Sequence, residues 1–158
     1  MAVTNSQKIN SDKKLTETLR ADFPQFNFTT GEDFHWNFET QTIFFTDSPD
    51  FAAQILHELG HALNSHSDFE MDVELLQMEV EAWQTAREIS KKYGIKISDD
   101  LVENHLDTYR DWLHKRSLCP NCSVNGFQQT DLNYKCPACR TIWNVNDSRF
   151  KNLRRTKK

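Results

Sequence analysis

Two groups of residues in this sequence have types and spacings suited to chemistry. The first is His57-Glu58-Leu59-Gly60-His61. Histidines four apart share one face of a helix, so both rings can reach one zinc ion, and a glutamate beside the first points at the water such an ion carries. Zinc brings the pKa of that water to about 7, and Glu58, as general base, would take its proton while a peptide carbonyl is attacked. The plainer alternative is a pair of exposed helix histidines. The second group is Cys119, Cys122, Cys136 and Cys139, two C-x-x-C pairs close together in the chain. A disulfide framework scatters its cysteines more widely, whereas paired knuckles present four thiolates to one tetrahedral zinc. The reading is two zinc ions per chain, one catalytic and one structural.

A catalytic zinc generally has about three protein ligands and one position left for water, so a third ligand is needed. A metzincin pattern continued from His61 requires glycine at 64 and histidine at 67. The chain has Asn64 and Ser67, and His66 misses by one. A long downstream helix offers Glu79 and Glu81, which its phase of about 100° per residue separates. Leu75, Leu76, Val80, Trp83 and Ala86 form one broad apolar face that includes Glu79, while Glu81 falls on the water side with Glu74, Gln77 and Glu88. A carboxylate in an inward-facing stripe is costly unless a cation meets it. Glu79 is therefore the expected ligand. Asp72 lies two turns before Glu79 on that face, as an acceptor for a ligand histidine's second N–H or as a cap of the helix's first turn. His105 and Tyr109, near the apolar stripe of the next helix, are candidates for stabilising an oxyanion, against the commoner role of a histidine at a core edge.

These residues need elements to hold them. Ser11 is placed to cap a short helix reaching about residue 21, stopped by Phe23-Pro24. Alternating aromatics follow: Phe26 and Phe28, then Phe34, Trp36 and Phe38, then Ile43 and Phe45. With turn residues between them they predict a small antiparallel sheet. Ser48-Pro49-Asp50 starts the helix carrying the two histidines, with Ser48 as N-cap and Pro49 first in the helix, ending near residue 64. A helix over 69–93 closed by Gly94 and another over 99–115 complete an α+β set.

The sequence is 158 residues long, with 37% hydrophobic residues and no apolar run approaching the roughly 20 residues of a membrane span. Its polar start lacks the apolar core of a secretory signal, so the expected location is cytoplasmic, with no membrane partner. Residues 1–118 carry 11 Lys or Arg against 21 Asp or Glu, whereas 119–158 carry 8 against 2. That asymmetry marks a boundary at 118/119. The basic end, Arg149, Lys151, Arg154, Arg155, Lys157 and Lys158, can meet nucleic-acid phosphates or an acidic protein surface, or serve solubility alone. Tyr134, Ile142 and Trp143 are expected to form the ribbon's small apolar face. The ribbon is either a staple for a segment too small for its own core or a docking module.

The segment His57-Glu-Leu-Gly-His61-Ala-Leu with Glu79-Val-Glu-Ala-Trp-Gln-Thr-Ala86 resembles the ImmA/IrrE family of metallopeptidases, which pairs H-E-L-G-H with a downstream E-x-E-A-x-x-F-A block. The match covers residues 57–86, inside a zincin frame of about 25–113. The resemblance also assigns the third ligand to Glu79, and implies limited cleavage of a protein partner, such as a repressor. Thr85 stands where that family favours phenylalanine, Trp83 where asparagine is frequent, and the ribbon is an addition. A weaker similarity is to SprT-like proteases, which join H-E-x-x-H to a zinc ribbon and act on DNA-bound proteins, but use a downstream histidine as third ligand. The reading is a disordered lead over 1–10, a zincin-like metallopeptidase domain over 11–118, a zinc ribbon over 119–145 and a basic tail over 146–158. The alternative is a nucleic-acid-associated zinc-ribbon protein.

Overall fold

In the computed structural model, which describes residues 5–147 and 153–158, the chain enters through a helix longer than its capping signals suggest. Helix α1 (Asn5–Asp22) starts well before Ser11, so residues 5–10, expected in the disordered lead, are helical. Lys8 pairs with Asp12 at 2.5 Å, an i,i+4 contact that carries the helix past a serine that would otherwise cap it. The end falls where expected, ahead of Pro24.

Strands β1 (Asn27–Thr30), β2 (His35–Asn37) and β3 (Thr42–Phe45) form the first sheet, in the order β1-β3-β2. β2 pairs with β3 antiparallel, but β1 runs parallel to β3, so the sheet is mixed rather than antiparallel. Period-two alternation identifies the inward face but not the partner strand. Phe28 and Ile43 sit opposite each other in the parallel register and are both buried.

Helix α2 (Phe51–Leu63) carries the two histidines. Asp50, not Ser48, is its N-cap residue, and it makes no side-chain cap. The Ser48 hydroxyl instead accepts the Asp50 N–H at 3.3 Å, so Pro49 precedes the helix. Helix α3 (Asp72–Tyr93) begins later than residue 69, because Glu74 accepts the N–H groups of Glu70 and Met71 and holds them in a turn. Gly94, at φ 65°, closes it in the left-handed conformation. Helix α4 (Asp99–Ser117) completes the helical set. Along α3 the buried positions are Asp72, Leu75, Glu79, Ala82, Trp83, Ala86 and Ser90, while Glu81 is exposed. The mixed α+β character is as read from the sequence.

The chain divides into two compact units. One takes the residues up to Ser67 with Val80–Ser98, and its core includes Leu19, Phe28, Ile43, Ile55, Leu56, Leu59, Ala82, Trp83 and Ala86. In it α2 crosses α3 closely at Gly60, where a Cβ atom would stand 2.3 Å from the Ala82 carbonyl oxygen. Only glycine lets the two backbones approach so far.

The other unit takes Asp68–Glu79 with the chain from Asp99 onward. Its sheet has strands β4 (Phe127–Thr130), β5 (Asn133–Lys135), β6 (Ile142–Val145) and β7 (Arg155–Lys157), each antiparallel to the next. Tyr134 and Trp143 stack at 5.6 Å and are buried, whereas Ile142 points to the other face and is exposed. The charge change at 118/119 lies inside this unit. Asp72 at the start of α3 and Arg116 at the end of α4 are both buried, and Arg116 Nε donates to Asp72 Oδ2 at 2.6 Å. The Tyr134 hydroxyl donates to the same carboxylate, Gln128 accepts the Asp72 N–H, and the Trp143 indole donates to the Arg116 carbonyl. These bonds join α4 and the first turns of α3 to the cysteine ribbon. Within the expected basic tail, β7 forms the fourth strand of this sheet; Arg149 and Lys151 lie outside the described residues. No helix among the described residues is long and apolar enough to cross a membrane.

Candidate metal centres

His57, Glu58 and His61 are all buried on α2. The four-residue spacing brings the two Nε2 atoms to 3.2 Å. Two nitrogens bound to one tetrahedral metal at about 2.1 Å stand about 3.4 Å apart, so the pair fits a shared ion. The His57 ring lies flat on Trp83 of α3, with centroids 4.2 Å apart and planes 23° apart. This stack fixes the imidazole plane, and a tryptophan at that position has a packing role.

After α2 the chain turns through Ser65 at φ 55° and brings His66 back against His61. The Nδ1 atoms of the two rings are 2.8 Å apart. Nε2 of His66 in turn lies 3.1 Å from Glu81 Oε2. The Glu81 side chain is 59% exposed, as its helix phase requires, yet it reaches this buried ring.

In the unit containing the ribbon, Glu79 is 4% exposed, in line with its assigned phase. Its Oε2 lies 3.8 Å from His105 Nδ1, and the His105 ring leans against Tyr109 at 5.4 Å. His105 is 36% exposed at its side chain, while Tyr109 is buried. Asp72, a candidate acceptor for a ligand histidine, instead has its carboxylate occupied by Arg116 and Tyr134. Burial, then the negative Asp72, raises the Tyr134 hydroxyl above its usual pKa.

The four cysteines converge. Their sulfurs all lie within 4.8 Å of one another, with Cys119 to Cys139 at 3.6 Å and Cys122 to both Cys136 and Cys139 at 3.5 Å. A metal bound to thiolates at about 2.3 Å requires tetrahedron edges of about 3.8 Å, so this cluster can hold a metal ion. The knuckles repeat one geometry: the Ser123 N–H donates to the Cys119 carbonyl and the Arg140 N–H to that of Cys136, and Ser123 and Arg140 take φ of 60° and 61°. The Thr141 hydroxyl and N–H hold the Cys139 thiol down to about 5. The Val124 N–H lowers the Cys122 thiol, but its bonds with Cys139 and Cys136 together push it up to about 12.

No protein-family model, curated protein or solved structure matches this chain. Its chemistry has to be argued from these side chains.

Sequence reasoning missed the His61–His66–Glu81 contact and the Gly60 crossing. A histidine five residues past His61 was the only signal for the first. Nothing in a single sequence marks Gly60 as the point where α3 crosses.

Proposed function

We propose that the chain is a zinc-dependent metallopeptidase on a zincin-like frame, with a zinc ion held by His57, His61 and Glu79, Glu58 as general base, and a structural zinc on the four cysteines. The observation that carries this reading is the 3.2 Å approach of two buried Nε2 atoms on one face of α2, with a glutamate beside the first. Glu79 is supported by helix geometry. It precedes Trp83 by one turn of α3, so it shares the face whose tryptophan stacks on His57. A buried carboxylate there calls for a cation.

A zinc ion bound there would acidify a water and polarise a substrate carbonyl. Glu58 would hold the proton taken from that water and deliver it to the departing amide nitrogen. His105 has more access to a substrate oxyanion than the buried Tyr109, and is the better of those two donors. The resemblance of residues 57–86 to ImmA/IrrE proteins favours a protein substrate, with a repressor-type regulator as one class. A second reading, a nucleic-acid-associated ribbon like that of SprT-like proteases, is favoured by Phe127. It is 68% exposed on β4, opposite Lys135 on β5, an aromatic beside a cation as single strands require.

The test is casein hydrolysis together with zinc analysis, with and without single-stranded DNA. Wild type should carry two zinc ions and cleave. Glu58→Gln should keep both ions and lose at least about 100-fold in rate, and Glu79→Ala should lose one ion and all turnover. Near wild-type turnover in Glu58→Gln would remove the proposed mechanism. Stimulation by DNA would make the ribbon a docking module.

A further inference from the structure

His66 and Glu81 have no place in the reaction as set out above, yet they form a continuous line of polar atoms to His61. From the structure we infer that they are positioning residues that fix His61 in its metal-binding tautomer. This rests on His61 being a zinc ligand, and it adds how the chain prepares that ligand.

The argument follows the protons. A carboxylate only accepts, so the 3.1 Å contact with Glu81 Oε2 requires a hydrogen on His66 Nε2. A neutral imidazole carries one hydrogen, so His66 Nδ1 is then an acceptor. The 2.8 Å contact between the two Nδ1 atoms needs one donor, which must be His61. His61 Nε2 is left with its lone pair, and it is the atom 3.2 Å from His57 Nε2. One anionic group, two residues beyond Glu79 on α3, thus sets two tautomers in series, as partners behind metal ligands generally do.

The backbone holds His66 in place for this. Its N–H donates to the His61 carbonyl at 3.0 Å, and its own carbonyl accepts the Trp36 indole N–H from β2 at 2.9 Å. Asn64 Nδ2 donates to the Thr85 hydroxyl at 2.9 Å, tying the turn to α3. Glu81 is the one exposed member, so replacing it leaves the packing intact.

The experiment uses the full chain with its ribbon loaded. Zinc affinity of the histidine site is measured by chelator competition, and histidine tautomers by 15N NMR. Glu81→Ala should weaken zinc binding about 10- to 100-fold and leave His66 in mixed tautomers, at unchanged thermal stability. Glu81→Gln, whose amide oxygen still accepts, should fall between Ala and wild type and keep the Nε2–H tautomer. Wild-type affinity in Glu81→Ala, or an Nδ1–H tautomer of His66 in wild type, overturns the inference. His57→Ala separates the two levels of argument. If it loses one zinc while Glu81→Ala binds normally, only the relay fails; if it keeps both ions, the ligand reading fails and takes the relay with it.

Discussion

The cysteine cluster and the histidine pair reach metal-binding geometry by different routes. Each cysteine knuckle is a local turn, repeated with φ near 60° at Ser123 and Arg140, and the four ligands come from 21 consecutive residues, 119–139. The histidine pair draws on more of the chain: α2 for spacing, Trp83 of α3 stacked on the His57 ring, and His66, held by Trp36, against the His61 ring. One site is closed by its own ligands. The other has its rings oriented by groups from elsewhere in the chain.

That contrast can be broken most directly by deleting a ligand from each site. Cys136→Ser should release the ribbon's ion and, since binding energy and folding energy are one quantity in such sites, about 10 kcal/mol or more, unfold the ribbon. His57→Ala should also cost one zinc but leave both units folded. Zinc analysis with urea unfolding reads both, and a ribbon that stays folded without its ion would show the sites to be alike. Next in size is Arg116→Met, which strands the buried Asp72 carboxylate and should cost about 3–5 kcal/mol in urea unfolding of the ribbon-bearing unit. Zinc at the histidine pair should be unchanged. The smallest effect is alkaline. The Tyr134 hydroxyl is raised in the folded chain by burial and by Asp72, so its contribution is complete below its unfolded value of about 10 and is lost as pH rises through the folded one. Tyr134→Phe should therefore differ from wild type at pH 8, begin to converge on it above about pH 10 and meet it only above the raised folded value. A constant difference would show that the hydroxyl is not linked to folding.

Much of the histidine site could be read from the chain because helix periodicity is local. The assignment of Glu79 inside and Glu81 outside needed only residue order, and the burial of each agrees. The cysteine cluster was legible for the same reason. The parallel pairing of β1 with β3 was not, because alternation says nothing about which strand lies alongside. Charge and cysteine density change at 118/119, whereas the bonds of Asp72 to Arg116 and Tyr134, across more than 40 residues, leave no mark in composition. Glu81 was read as facing water and is exposed, yet its long side chain at the helix rim reaches the buried His66 ring.

Strand β7 also bears on how the molecule avoids its own copies. Without it, Ile142-Trp143-Asn144-Val145 of β6 would present an open row of N–H and C=O groups, the template on which sheets of separate chains join into aggregates. Arg155-Thr156-Lys157 covers that row with a short, charged strand, anchored by Arg155 to the Leu118 carbonyl at 2.7 Å. The opposite edge, β4, is broken by a register shift between Gln128 and Thr130. Both borders of the ribbon are thus poor partners for edge-to-edge polymerisation, and a chain cut before Arg155 would lose that protection on the side where its apolar residues lie.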